Sequence, residues 1–297
     1  MTSRVMQQGI LVGVDGSAPS NAAVRWAAQQ AAMRNIPLNL VHVRTTPTAG
    51  LSGLAWPAAP VPEGVQQWQE EEARQVLADA VKVAESSVDG DRLPRLERKV
   101  VFSAPVPALV DLSKDVDMVV VGCRGQGALR RTLLGSVSTG LVHHAHCPVA
   151  VIHDEVPTRS GWPVLVGIDG SPASELATAI AFDEASWRDA DLVAMHAWND
   201  ADASGVSSLE WSALEAAADK TLSERLAGWE ERYPDVAVRR VVVWDHPARH
   251  LIERSQMAQV VVVGSHGRGG FAGMLLGSVS TAVVHNAHTP VIVARER

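Results

Sequence analysis

Two periods alternate in the hydrophobic pattern of the first half of this chain. Five stretches rich in aliphatic and β-branched residues run from Gly9 to Val14, Leu38 to Val43, Leu96 to Phe102, Met118 to Gly122 and Val149 to His153. Their largely continuous apolar character fits strands buried on both faces of a parallel sheet. Between them the period lengthens to that of a helix. After Ser20, a suitable N-cap, Val24, Ala27, Ala28 and Ala31 share one face, and Thr178, Ala181, Phe182 and Ala185 repeat that stripe in the second half. These striped positions read as core. Strands alternating with helices predict βαβ units and an α/β fold with helices on both faces of the sheet.

The chain also repeats itself. Ile10 to Ser17 matches Val164 to Ser171 at an offset of 154, which His42 and His196 keep. Farther on, Val119 to Gly122 matches Val261 to Gly264, and Gly135 to Pro148 matches Gly277 to Pro290 at ten of fourteen positions, now at an offset of 142. The first half therefore holds twelve more residues between His42 and Pro105, the counterpart of Pro247. The Pro- and Gly-rich stretch from Thr45 to Gly64 is the expected place, read as a flap near the first site. Pro157, Ser160 and Gly161 mark a linker. The expected division is a first domain over 1–154, a linker over 155–162 and a second domain over 163–297.

Candidate chemistry recurs with the duplication. After the fourth strand, Gly122, Gly125, Gly135 and Ser136 spell G-x2-G-x9-G-S, and Gly264, Gly267, Gly277 and Ser278 repeat it at identical spacing. Glycines without Cβ let backbone N–H groups approach phosphate oxygens. Ser136, Val137 and Ser138, like Ser278, Val279 and Ser280, then open a helix whose N-terminal amides favour an anion. The serine hydroxyls are expected to add donors, so the pattern points to a polyphosphate. Strand one of each half ends in Asp-Gly-Ser, which puts Asp15 and Asp169 at the crevice where winding reverses. Two readings stand for them: accepting from a ribose or adenine group or holding a metal, or merely fixing the turn.

On these residues the sequence resembles the universal stress protein family in its tandem form, over nearly the whole chain. The resemblance implies two tandem Rossmann-like, adenine nucleotide alpha hydrolase-like domains, each a five-stranded parallel sheet of order 3-2-1-4-5. It implies ATP at the carboxyl ends of strands one and four, one per domain. The phosphate glycines would be those named above, the strand-one aspartates Asp15 and Asp169, and the adenine-contacting segments those around Val41 and Met195. It also implies association through strand five, between two chains or between the two halves, and a role as a nucleotide-dependent regulator of stress response or growth. Mg2+ is compatible with such a site, though nothing in the sequence demands it.

Composition narrows the alternatives. A net charge of -7 without a long Lys/Arg run argues against nucleic acid as partner. Two cysteines, Cys123 and Cys147, do not make a disulfide framework. The polar segment Met1 to Gln8 and the absence of any apolar run long enough for a membrane suggest a cytoplasmic protein. His143 with His146, and His285 with His288, lack a third ligand and read as helix-end residues, where positive charge is favoured. A redox role for Cys123 is weakened by Ser265 at its counterpart, and Arg124 and Arg268 read as solvated loop cations. A slow ATPase or phosphotransfer enzyme is the rival function, but no general base or attacking group is legible. A regulated protein partner is expected without being identifiable.

Overall fold

The computed structural model describes residues 9–45, 63–125, 134–153, 160–198, 208–268 and 275–295. The first half runs β1 (Ile10–Gly13), α1 (Ala18–Arg34), β2 (Leu38–Arg44), α2 (Glu63–Glu85), β3 (Leu96–Phe102), α3 (Pro105–Leu112), β4 (Met118–Gly122), α4 (Ser136–His144) and β5 (Val149–Ile152). The second repeats it as β6 (Val164–Gly167), α5 (Pro172–Arg188), β7 (Leu192–Trp198), α6 (Ser208–Arg232), β8 (Val238–Trp244), α7 (Pro247–Ser255), β9 (Val260–Gly264), α8 (Ser278–Asn286) and β10 (Val291–Ala294). Most of the stretch expected to form a flap, residues 46–62, lies outside the described residues, and its last two positions, Glu63 and Gly64, belong to α2.

The strands form one sheet in the order β3-β2-β1-β4-β5-β10-β9-β6-β7-β8. Each half is parallel throughout and has the expected order 3-2-1-4-5. The halves meet where β5 and β10 pair antiparallel, with Val149 opposite Val293, Ala150 opposite Ile292 and Val151 opposite Val291. Because Val149 and Val291, Ala150 and Ile292, and Val151 and Val293 are themselves counterparts at the 142-residue offset, a pseudo-twofold axis passes through the Ala150–Ile292 pair. The strand-five edge that two chains would use to associate is thus filled within one chain. The outer strands β3 and β8 carry Arg98, Lys99, Arg239 and Arg240, charges of the kind that keep an open sheet edge from pairing further.

Alternation along each strand sorts the core into two layers. Ile10, Val12, Met118 and Val120 pack with α1, α2, α5 and α6, whereas Leu11, Val119, Val121 and Val149 pack with α3, α4, α7 and α8. The predicted stripes of α1 and α5 are buried. Their start differs from the expectation: α1 begins at Ala18 with Ser17, not Ser20, as N-cap. Ser17 Oγ accepts from Ser20 N–H at 3.3 Å, and Pro19 is tolerated because the first helical turn needs no intrahelical donor there. Ser171 and Ser174 repeat the arrangement in α5. Across the seam, Arg34 of α1 and Arg188 of α5 both pair with Glu184, whose side chain is fully buried. Among the described residues no helix is long and apolar enough to cross a membrane.

Candidate functional site

At the carboxyl ends of strands one and four each half opens into a crevice, of about 630 Å³ in the first and about 420 Å³ in the second. All eight residues singled out in the first half, Asp15, Val41, Gly122, Gly125, Gly135, Ser136, Val137 and Ser138, line the first. Their counterparts Asp169, Met195, Gly264, Gly267, Gly277, Ser278, Val279 and Ser280 line the second. Arg124 in one, and His266 with Arg268 in the other, also border the space.

The glycines of the motif are required for three different reasons, which sequence spacing alone does not separate. A Cβ on Gly122 would stand 2.6 Å from the Pro19 carbonyl carbon, and one on Gly264 would stand 2.8 Å from that of Ala173, so these residues let strand and helix approach closely. A Cβ on Gly125 or Gly267 would stand 2.6 Å from Oδ2 of Asp15 or Asp169. Only Gly135 and Gly277 face nothing nearer than 3.4 Å. Their N–H groups donate to Cys123 O and Ser265 O at 2.8 and 2.7 Å, which closes the loop onto the end of the strand. Four of the six glycines are thus held to their size by neighbouring protein atoms.

The first ladder bond of α4 runs from Thr139 N–H to Gly135 O, and that of α8 from Thr281 N–H to Gly277 O. The amides of Ser136, Val137 and Ser138, and of Ser278, Val279 and Ser280, precede the ladder at the crevice wall. Two of the four serine hydroxyls turn to the loop instead. Ser138 Oγ, buried, donates to Cys123 O or Gly135 O, each at 3.0 Å, and Ser280 Oγ donates to Gly264 O at 2.6 Å. A hydroxyl has one proton, so these two serines tie down the loop and offer the crevice their backbone amides.

Asp15 Oδ1 accepts from Ser17 N–H at 2.9 Å and from Ser17 Oγ at 2.6 Å. Asp169 Oδ1 accepts from Ser171 N–H at 2.9 Å, and its Oδ2 from Arg268 N–H at 3.1 Å. The turn-fixing reading is thus realised, and Asp169 also fastens strand one to the glycine loop. Among the described residues no cluster of three His, Cys, Asp or Glu suits a metal.

Two kinds of group that the sequence reading placed elsewhere, Ser20 as a helix cap and His42 and His196 within the adenine-contacting segments, support the site from behind. Ser20 and Ser174 accept the Asp15 and Asp169 amides at 3.1 and 3.0 Å. His42 and His196 are buried and donate from Nδ1 to Val14 O and Ile168 O at 2.6 and 2.7 Å, clamping strand two to the end of strand one. Burial holds the His196 imidazole below the ordinary histidine range despite the favourable Ile168 carbonyl. The recurrence of both pairs at the 154 offset was the available signal. At the other end of α4, burial, with His144 and Arg295 adding, pushes His143 down. The guanidinium of Arg295 meets that helix end, donating to Val142 O and Ala145 O at 2.6 and 2.9 Å.

The universal stress protein family model matches residues 6–153 and again residues 163–295. Universal stress protein Rv2005c of Mycobacterium tuberculosis is 56% identical over 293 residues, 98% of each chain. Universal stress protein Rv2623 of the same organism is 54% identical over 299 residues, 100% of this chain and 99% of its own. Among solved structures, a universal stress protein from Archaeoglobus fulgidus superposes with a TM-score of 0.73 over 98% of this chain and 100% of its own, at 22% identity, a likeness of fold.

Proposed function

This chain belongs to the universal stress protein family, and on that premise we propose that it is a nucleotide-dependent regulatory protein that binds one ATP in each half. The observation that carries this reading is the pairing of two unlike walls in one crevice, made twice. On one side lie the N-terminal amides of α4 or α8, suited to phosphate oxygens. On the other lie apolar side chains, Val41, Val43 and Leu109 in the first half and Met195, Ala197 and Leu251 in the second, suited to the face of a purine. Both volumes lie in the range of small-molecule sites, roughly 300–1,000 Å³.

In this reading Asp169 holds the glycine loop against strand one and Asp15 fixes the turn that follows it, and any Mg2+ arrives on the phosphates. No residue is assigned to hydrolysis, and bound ATP acts by favouring the conformation to which it binds more tightly. The domain division at 1–154, 155–162 and 163–297 is part of the proposal, as is a regulated protein partner. The test is calorimetry with ATP, paired with identification of any small molecule released on denaturation. Two adenine nucleotides per chain are expected. Binding of none by folded protein, or release of a flavin or nicotinamide, overturns the reading, and sustained turnover favours an ATPase.

A further inference from the structure

One side chain reaches across the seam from the second half to the first. Arg295 follows β10, in the second half, yet its guanidinium reaches across to the carboxyl end of α4, in the first. Nη1 donates to Val142 O at 2.6 Å and Nε to Ala145 O at 2.9 Å. The same Nη1 also donates to Leu275 O at 3.1 Å, two residues before Gly277 at the head of α8. One rigid, planar group therefore holds the far end of the helix whose near end borders the first crevice and the segment that leads into the second.

The contact with α4 is part of the pseudo-twofold design. His153, the counterpart of Arg295 at the 142 offset, donates from Nε2 to Val284 O at 2.9 Å, and Val284 is the counterpart of Val142. In both halves the amide that would otherwise meet that carbonyl is turned away: His146 N–H donates to Ser113 Oγ at 2.8 Å, and His288 N–H to Ser255 Oγ at 3.0 Å. The carbonyl near the end of each helix is thus left for the opposite half. The halves differ in the group supplied. Arginine has five donors in a fixed fork and keeps its charge, whereas a neutral imidazole has one donor.

Resting on the reading of both crevices as nucleotide sites, we propose that Arg295 is a positioning residue that couples them. A nucleotide on the amides of α4 steadies the helix whose other end Arg295 grips. The same guanidinium then steadies the approach to Gly277, so the second nucleotide meets a segment already ordered. The coupling is positive and reciprocal.

The test uses the full chain and ATP, with stepwise constants from calorimetry and hydrogen exchange read on residues 136–145 and 275–280. In the unmodified chain the second ATP binds roughly fivefold or more tightly than the first after statistical correction. In Arg295→Gln that ratio falls to one or below, as for independent sites of unequal affinity, and exchange quickens in both segments without ligand. Arg295→Lys keeps the charge but not the fork, so it too loses the ratio; if it restores the ratio, a simple helix-end charge explains the effect and the bridge is wrong. A chain that binds two ATP molecules with constants unchanged by Arg295→Gln overturns the coupling alone. A folded chain that binds none overturns the reading of the sites and the coupling with it. Quickened exchange at 136–145 with 275–280 unaltered reduces Arg295 to a cap and also overturns the coupling.

Discussion

Asp15 Oδ2 occupies the place where a side chain on Gly125 would begin: a Cβ there would stand 2.6 Å away. The carboxylate has little freedom to retreat, because its Oδ1 holds Ser17 through both N–H and Oγ. Gly125→Ala should therefore displace either Asp15 or the glycine loop that faces it and reduce ATP stoichiometry from two to one. Since the conflict is with the carboxylate, the penalty should be coupled to it. In an Asp15→Gly background, Gly125→Ala should cost less by roughly 0.5–3 kcal/mol, the range for contacting residues. A double-mutant cycle by urea denaturation measures this, and additive effects would show that Gly125 is needed for something else.

Gly122 and Gly264 are expected to respond differently. Each would thrust its Cβ against the backbone of the first helical turn, at 2.6 and 2.8 Å, and backbone yields less than a side-chain tip. Overpacking of this kind costs about 1–3 kcal/mol. For domains of this size that lowers Tm by about 2–12 °C. Gly135→Ala, whose Cβ would meet neighbours only at 3.4 Å or beyond, should leave Tm within about a degree or two of the parent. Thermal denaturation of the three variants side by side decides it, and equal losses would mean that local backbone freedom, not the facing atoms, sets the requirement.

The architecture was legible because parallel strands buried on both faces leave near-continuous apolar runs, and because the chain is duplicated. The 154 and 142 offsets pair Asp15 with Asp169 and Gly125 with Gly267, so each motif residue of one crevice has its counterpart in the other. What the glycines face could not be read, since the Pro19 backbone and the Asp15 carboxylate reach them from distant positions in the chain. The choice of Ser17 over Ser20 as N-cap was hidden for a related reason. Both serines are good caps, and Ser20 is diverted to the Asp15 amide. Arg295 was beyond reach, because nothing local ties it to Val142, 153 positions away.

A pH dependence follows from His196. Burial depresses its folded-state pKa, while the unfolded chain titrates near the ordinary value of about 6.5. Above that value both states are neutral and the full stability is present. As pH falls from there toward the depressed folded pKa, the unfolded state takes up a proton that the folded state resists, so stability declines across that window. His196→Asn keeps a donor for Ile168 O and removes the titration. Its Tm should fall less than the parent's between pH 7.5 and 5, and parallel profiles would assign the acid sensitivity to other groups.

The buried cluster at the α1–α5 seam gives the sharpest test of what joins the halves. Glu184 has no exposed side-chain surface and receives Arg34 on Oε1 and Arg188 on Oε2, side chains only 9% and 6% exposed. Arg34 also donates to Gln30 at 3.2 Å and lies over the Trp187 ring at 4.2 Å, so its position is fixed by more than charge. Burial lowers the pKa of Arg188, and Glu184 offsets part of that. Glu184→Gln would leave both guanidinium groups buried without the carboxylate, and breaking one partner of a buried pair costs about 3–5 kcal/mol. Replacing all three by apolar residues of similar volume, as in Arg34→Met with Glu184→Leu and Arg188→Met, removes the desolvation penalty along with the attraction and should be near neutral. Urea denaturation should therefore rank the single variant well below both the parent and the triple variant. A single variant as stable as the parent would mean that solvent reaches the cluster and that the seam is held by its other contacts, the β5–β10 pairing and the Arg295 and His153 bonds.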